Sequence, residues 1–257
     1  RILSSHSMLE GAIDPKAIAK LAKERGFPAI AICDRNGLYG SYAFASACFE
    51  QGVQPIVGTL LGVARPSSEA IDHLALFAQD EAGWQNLCHL VSRAHLERPL
   101  ELEPHVALDE LDGRTEGLIA LTGASEGAMT CLFAEGQGSH ALSYGERLEA
   151  LFPGRLYVEL SRRGNAVEDA AEAALVDWAY DRDLPLVATN PANFAEPHMY
   201  KAHDAMLCIA NSTHIDAEER PKSNPESYVK TAHMMEEAFD DLPEAVANTL
   251  VIAQRCA

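Results

Sequence analysis

The sequence predicts an α/β protein in which short buried strands alternate with amphipathic helices around a closed, TIM-like barrel. Apolar runs and helical patterns alternate at least six times, which implies parallel strands joined by crossover helices. Six or seven such repeats in one domain favour a barrel. An open doubly wound sheet is the alternative, but no Gly-x-Gly-x-x-Gly or P-loop motif follows any strand.

The opening unit of the chain shows this alternation most clearly. Asp14-Pro15 provides an N-cap and a first-turn proline for a helix that ends at Arg25-Gly26. The apolar run Ala29–Ile32 is typical of a buried strand. It ends in a polar step at Cys33, Asp34 and Arg35, and a second helix follows over 41–50. Side chains at such a strand end face the mouth of a barrel, where functional sites form.

The later elements follow the same pattern within one domain that covers residues 1–257. Further strands are predicted at Pro55–Val63, His73–Ala78, Gly117–Thr122, Arg155–Leu160 and Leu184–Thr189. Further helices are predicted from Asp80, and over Ala128–Ala134, Ala166–Arg182, Lys201–Ala210, Thr231–Phe239 and Pro243–Arg255. The proline-bearing, acidic stretch 97–116 is interpreted as a long excursion, and residues 210–257 as a mostly helical tail.

Composition limits the possible functions. The net charge of -18 repels a phosphate backbone, so this segment by itself is not expected to bind nucleic acid. No apolar run reaches the roughly 18 residues of a membrane span, and no signal pattern opens the chain. The six cysteines lack Cys-x-x-Cys spacing and are expected to be free thiols. We expect a cytoplasmic protein without a membrane partner.

The predicted strand ends carry few groups that could bind a metal. A divalent ion needs several converging His, Asp, Glu or Cys donors, and His73 is the one good ligand at these positions. No histidines pair at His-x-His or His-x-x-x-His spacing. Asp34 and Glu159 are the buried-looking carboxylates, and we expect each to be a structural acid paired with a nearby arginine rather than a general base.

Many collinear blocks of the chain match one family. They are Ser7–Gly11, Pro28–Asp34, Gln54–Gly58, His73–Ala78, Gly117–Gly123, Tyr157–Leu160, Pro185–Asn190, Ala202–Asp204 and Pro243–Asn248. Together they resemble the polymerase and histidinol phosphatase (PHP) domain of bacterial DNA polymerase III alpha subunits. The resemblance covers nearly the whole chain and implies a distorted seven-stranded (β/α)7 TIM-like barrel.

In metal-binding members, the resemblance further implies a trinuclear site with nine ligands. Those ligand positions fall on Arg1, Leu3, Glu10, Arg35, Leu60, His73, Ala124, Pro191 and Asn193. Only His73 is retained, and Glu10 replaces an aspartate. Arginine does not deprotonate in proteins, and leucine, alanine and proline side chains offer no donor atoms. We therefore expect a vestigial pocket with no metal and no catalytic residue.

We expect ion pairs to replace the metals in this pocket. Arg35 is expected to pair with Glu10, with Arg1 as a second candidate cation for the same carboxylate. Asp34 is a further candidate for a structural ion pair near Arg35.

The resemblance also implies a function. It makes the chain the N-terminal, non-catalytic domain of a longer replicative DNA-directed DNA polymerase (a nucleotidyltransferase), with the tail leading to a palm domain that uses magnesium. The implied partners are the rest of the polymerase chain and a proofreading exonuclease subunit. DNA would be contacted only through the parent polymerase.

Three alternatives remain open at the level of sequence. One is an active metal-dependent phosphoesterase or pyrophosphatase with a rearranged site made of Glu10, Asp34, His73 and His203. Another is the PHP domain of an error-prone alpha-like polymerase. The third is a stand-alone binding protein of the same fold.

Overall fold

The computed structural model describes all 257 residues and has the predicted α/β alternation. The strands are β1 Ala29–Arg35, β2 Gln54–Ala64, β3 Ile71–Ala78, β4 Val106–Ala107, β5 Leu118–Leu121, β6 Leu156–Leu160 and β7 Leu186–Ala188. The helices are α1 Pro15–Glu24, α2 Ser41–Gln51, α3 Glu81–Leu96, α4 Ala128–Ala134, α5 Gly138–Leu151, α6 Ala166–Asp181, α7 Tyr200–Ala210, α8 Ala232–Ala238 and α9 Pro243–Arg255.

Local chemistry sets several of these boundaries. The Asp14 carboxylate accepts a hydrogen bond from Lys16 N and caps α1, whose first residue is Pro15. Asp80 caps α3 through Gly83 N. Gly52 ends α2 at a φ of 67°, a left-handed conformation that favours glycine.

Two features of the structure were not predicted from the sequence. The stretch 97–116 contains β4 and a 3₁₀ turn over Leu108–Leu111, so it is partly regular. Helix α5 was not predicted, because its glycines and serines weaken the helical pattern. No helix has both the length and the apolar character needed to cross a membrane.

The seven strands form one curled sheet with the order β1-β2-β3-β5-β6-β7, and β4 pairs with β2. The sheet is mixed rather than all parallel, because β3 runs antiparallel to both β2 and β5. The link between β2 and β3 spans only residues 65–70, which is too short for the crossover that a parallel pair requires. The start of β3 therefore lies at the same edge of the sheet as the ends of β1 and β2.

The edge strands β1 and β7 are connected through the N-terminal residues. Ile2 forms isolated parallel bridges to Ile32 in β1 and to Ala192 beyond β7. This narrow connection brings Arg1 and Leu3 next to the strand ends that were predicted to line a site.

The concave side of the sheet has its own apolar core, closed at one end by α9. Its buried members are Cys33, Ile56, Leu60, Ala75, Phe77, Ile119, Leu121, Tyr157, Val187, Ile252 and Ala253. Because side chains alternate between faces along a strand, Arg35, His73 and Glu159 also point to this inner side. Two larger clusters pack the helices on the outer side.

Candidate functional site

Arg35 is the centre of a charged cluster at the mouth of the curled sheet, the end at which β1 finishes and β3 starts. It is the last residue of β1 and lies opposite Leu60 of β2 in the ladder register. Its Nε donates to Glu10 Oε2 at 2.6 Å, and its Nη2 donates to Glu126 Oε1 at 2.6 Å. Its Nη1 lies 2.7 Å from His73 Nε2. We call Arg35, Glu10, His73, Glu103 and Glu126 the rim cluster.

His73 joins the rim cluster because β3 is antiparallel. His73 lies opposite Gly62 near the start of β3, at the edge where β1 ends. Its Nε2 lies 2.8 Å from Glu103 Oε1 as well as 2.7 Å from Arg35 Nη1. A guanidinium only donates, so Nε2 accepts from Arg35 when it carries no proton and donates to Glu103 when it carries one.

The electrostatics of the rim cluster favour its charged forms. Burial lowers the pKa of Arg35, but Glu126 and Glu10 outweigh this and raise it above its usual value. The surrounding protein disfavours ionised Glu126, yet Arg35 and then His73 hold the pKa of that carboxyl at about 2. The hydrogen bond from His73 lowers the pKa of Glu103. The carboxylates of the rim cluster are therefore stabilised as anions around one fixed cation, Arg35.

Arg1 forms a different ion pair from the one expected. Its Nε donates to Glu159 Oε1 at 2.7 Å, and both side chains are almost fully buried. Glu159 also accepts from Thr189 Oγ1 at 2.6 Å and from Gly123 N at 3.0 Å. Burial raises the pKa of Glu159, but Arg1 reverses this and lowers it.

The expected pairing of Arg1 with Glu10 is therefore wrong. The Ile2 bridges fix the backbone so that Arg1, on the opposite side of the strand from Ile2, points to the concave side of the sheet towards β6. The arginine partner of Glu159 is likewise Arg1, and neither Arg162 nor Arg163 contacts it: those two pair with Glu172 and Glu168.

Asp34 makes no ion pair, which corrects a second expectation. Its carboxylate accepts from Ser4 N at 2.7 Å, Ser4 Oγ at 2.8 Å and Ser7 Oγ at 2.8 Å. Neighbouring residues of a strand point to opposite faces, so Asp34 and Arg35 cannot share a site. Asp34 instead fixes the loop that follows Ile2.

The remaining candidate positions supply backbone contacts or packing. Leu3, Leu60 and Ala124 are buried apolar side chains. Asn193 Nδ2 donates to the backbone oxygen of Glu10 at 3.1 Å, and Pro191 O accepts from Arg163 Nη1 at 3.4 Å.

His203 does not join the rearranged metal site that was considered. Its ring nitrogens contact Ser223 Oγ at 2.7 Å and the backbone oxygen of Glu10 at 2.8 Å. Asp34 is held by serines on the other face of the sheet. The four residues Glu10, Asp34, His73 and His203 therefore do not converge.

Sequence reasoning missed two members of the rim cluster. Glu126 lies in the short turn after β5, and its signal was that a charged residue follows a strand end. Glu103 lies in the stretch 97–116, where the sequence carries no pattern that points to a site.

The side chains at the mouth do not match the metal centre that the family resemblance implies. No group of three or more His, Cys, Asp or Glu side chains is arranged to hold a metal ion. The carboxylates of Glu10 and Glu126 are both turned towards the Arg35 guanidinium. A fixed cation at that point opposes a second cation, and the neighbouring Leu60 offers no donor atom.

Known proteins are similar to this chain in sequence or in fold. A DNA polymerase III subunit alpha from Caulobacter vibrioides is 42% identical over all of this chain, which covers 23% of that relative. The protein of the same name from Escherichia coli K12 is 33% identical, again over all of this chain and 22% of the relative. The chain thus spans less than a quarter of the length of these relatives.

Two further findings concern the family and the fold. An amidohydrolase structure from Chromobacterium violaceum, described with bound sulfate and no metal, has a TM-score of 0.50 at 15% identity and covers 75% of this chain and 86% of its own. At this identity the match shows a shared fold alone. The family described as "PHP domain" matches residues 1–163. This match covers more than half of the chain, and it establishes that the chain belongs to the PHP domain family.

Proposed function

We propose that this chain is the PHP domain of a replicative DNA polymerase III alpha subunit and that the domain itself is non-catalytic. The relatives named DNA polymerase III subunit alpha, which match the whole chain, support the first part. The bridges that Ile2 makes to Ile32 of β1 and to Ala192 beyond β7 support a distorted, closed seven-stranded barrel.

One observation carries the non-catalytic assignment: the Arg35 guanidinium lies between Glu10 and Glu126 at 2.6 Å from each. It supplies the positive charge that these carboxylates would otherwise need from a metal. We infer that the rim cluster is a structural substitute for a metal centre, and that the vestigial pocket holds none.

The activity of the whole protein lies outside this domain in our proposal. DNA synthesis from deoxynucleoside triphosphates would use magnesium held by carboxylates of a downstream palm domain. Residues 210–257, with α8 and α9, would lead towards that domain. The cellular location would be the cytoplasm, where DNA would be contacted only through the rest of the polymerase.

The first experiment measures metal content and two activities on the full-length protein. We expect magnesium-dependent primer extension, no stoichiometric zinc or manganese in the PHP domain, and no phosphoesterase activity with added manganese. Substituting Arg35→His returns one ligand but leaves Leu60, Ala124 and Pro191 without donors, so metal content should not rise. Two or three tightly bound metal ions in the unaltered protein would contradict the proposal and favour the phosphoesterase.

A second experiment addresses the partner. We propose that the domain helps to dock a separate proofreading exonuclease. Removing residues 1–257 from the full-length protein should weaken exonuclease binding, as measured by titration of the purified subunits. Retained primer extension by the shortened protein is the control for folding. Unchanged exonuclease affinity would remove this role and leave the structural role of the domain intact.

A further inference from the structure

Positive charge is unevenly distributed along this acidic chain. The whole sequence has a net charge of -18, yet residues 14–54, which contain α1, β1 and α2, carry five Lys or Arg and four Asp or Glu. Three of the six lysines of the chain lie in α1. The surface of α1 is therefore a place where an anionic partner meets less repulsion than elsewhere.

The three lysines form one row on the solvent side of α1. Lys16, Lys20 and Lys23 are three or four residues apart, so they share one face of the helix, and all three are exposed. Lys20 has an ion-pair partner, Glu24 at 3.6 Å, but both side chains are mostly exposed, so this pair is weak. The positive charge of the row is therefore largely free for a partner. The opposite face of α1 is buried and consists of Ile18, Ala19, Leu21 and Ala22.

The neighbouring helix α2 exposes two aromatic side chains. Tyr42 is 86% exposed and Phe49 is 75% exposed. They lie seven residues apart, which is close to two helical turns, so both project from the same side of α2. The buried side of this helix is formed by Ser41, Phe44 and Cys48. Large apolar side chains that are exposed together are typical of interaction sites.

The lysine row and the aromatic pair belong to one surface. Ile18 of α1 and Phe44 of α2 are buried in the same apolar cluster, and the two helices pack against each other. The helices also start side by side, since a Cβ atom on Gly40 would lie 3.1 Å from Pro15 Cγ. Each helix leads into one strand of the parallel pair β1 and β2, so the helices run in the same direction. We call their joint solvent side the α1–α2 face.

Other exposed apolar side chains lie among carboxylates. The segment 96–103 exposes three leucines, but it also contains three glutamates and one arginine. An acidic partner would be repelled there. The α1–α2 face differs because its exposed aromatic side chains stand beside lysines. This combination specifies the sign of the partner's charge as well as its apolar character.

We propose that the α1–α2 face docks an acidic segment of a partner protein, and that this segment also carries apolar side chains. Its carboxylates pair with Lys16, Lys20 and Lys23, and its apolar side chains cover Tyr42 and Phe49. Complementary charge sets the orientation and the rate of such an encounter, while the buried aromatic side chains supply most of the affinity.

Two other occupants fit this face less well. A nucleic acid backbone continues past the three lysines and meets a surface of net negative charge, which repels its phosphates. A second copy related by a twofold axis would place the same patch on both sides of the contact, so the lysine row of one copy would face that of the other. An acidic segment avoids both kinds of repulsion because it is short and carries the opposite charge.

Binding of a defined peptide to the full-length protein tests the proposal. The probe is a fluorescent peptide in which glutamate alternates with phenylalanine and leucine, and the same peptide with glutamine in place of glutamate is the control probe. We expect the glutamate peptide to bind with an affinity that falls as salt is added, because exposed charges are screened. The glutamine peptide should bind about tenfold more weakly or not at all.

Substitutions on the α1–α2 face should weaken binding of the glutamate peptide. We expect Lys20→Glu to lower the affinity about tenfold through like-charge repulsion, and Phe49→Ser to lower it by a similar factor through lost apolar contact. The matched controls are Lys201→Glu and Ile209→Ser, which change an exposed lysine and an exposed apolar side chain of α7 and should have no effect. All four side chains are exposed, so the unfolding temperature should stay unchanged in each variant.

Several results would overturn the proposal. No binding of the glutamate peptide, or equal losses from the α7 controls, would show that the α1–α2 face is not its site. Single-stranded DNA that binds more tightly than the peptide and displaces it would assign the face to nucleic acid. Dimerisation in sedimentation experiments that Phe49→Ser abolishes would assign it to a second copy. Lysines of α1 that resist acetylation in the unbound full-length protein would show that other residues of the same polypeptide cover the face.

Discussion

The chain has two arginines at positions that the family resemblance implies for metal ligands, and the two lie in different environments. Arg1 lies on the concave side of the sheet, where its side chain is 2% exposed and has one carboxylate partner, Glu159. Arg35 lies at the rim, where it is 19% exposed and contacts two carboxylates and a histidine.

The comparison shows how the environment changes the contribution that an arginine ion pair makes to the stability of the fold. A fully buried ion pair has lost its hydration, so removal of one partner leaves a charge that nothing else can stabilise. At the rim, water reaches Glu126, which is 39% exposed, and a second carboxylate remains if one is lost. We therefore expect the inner pair to be the more sensitive site.

The largest effect is expected for Glu159→Gln. This substitution leaves the buried Arg1 guanidinium without a counter-charge, and breaking a pair of this kind costs roughly 3–5 kcal/mol. Urea unfolding of the 257-residue chain should show a decrease in the free energy of unfolding at the lower end of this range, since glutamine can still accept hydrogen bonds.

A matched control for this substitution is Glu97→Gln, which removes an exposed partner of Arg93. We expect it to change the free energy of unfolding by less than about 0.5 kcal/mol. Equal effects of the two substitutions would show that burial does not determine how much the Arg1–Glu159 pair contributes to stability.

A smaller effect is expected for Arg35→Met. Methionine fills part of the space but leaves Glu10 and Glu126 without their shared cation, so we expect a loss of about 1.5–3 kcal/mol. Arg35→Lys keeps the charge but loses the separate contacts of the guanidinium nitrogens. Its free energy of unfolding should therefore lie between those of the unaltered chain and Arg35→Met. A loss larger than that of Glu159→Gln, measured in the same urea series, would reverse the comparison.

The smallest effect is a pH dependence carried by Glu126. Its pKa of about 2 in the folded protein lies below the ordinary 4.5, so its ionised form stabilises the fold above pH 4.5. This contribution is lost progressively as the pH falls from about 4.5 to about 2. Because the side chain is partly exposed, we expect no more than about 1 kcal/mol.

Glu126→Gln provides the measurement. The unaltered chain should be more stable than this variant at pH 7, and the difference should disappear towards pH 2. In an Arg35→Met background, the difference should be small at every pH, because the cause of the low pKa is gone. If the stability difference between the unaltered chain and Glu126→Gln grew as the pH fell, the predicted direction of the pH dependence would be wrong.

Much of the fold could be predicted from the sequence. The alternation of apolar runs with capped helices gave the α/β class, and both Pro15 and Asp80 marked real helix starts. The prediction of parallel strands was wrong for β3, which is antiparallel to β2 and β5. The reason is that an apolar run looks the same in either direction. The short link of residues 65–70 was the available signal.

The site could be predicted only in part. The position of Arg35 at the end of a strand followed from the polar step after Ile32, and Glu10 was named from the family resemblance. Asp34 was placed in the wrong environment because residues adjacent in sequence point to opposite faces of a sheet. Glu103 and Glu126 join the rim cluster through loops whose paths follow no periodic pattern.

The sequence by itself determined which groups this domain has at the positions that the family resemblance implies for metal ligands, because side-chain identity fixes charge and donor chemistry. Guanidinium, leucine, alanine and proline stand there regardless of how the chain folds. Only the tertiary structure decided which carboxylate each arginine meets. That choice depends on strand direction and on the inward or outward phase of each residue, and both are set by the packing of distant segments against one another.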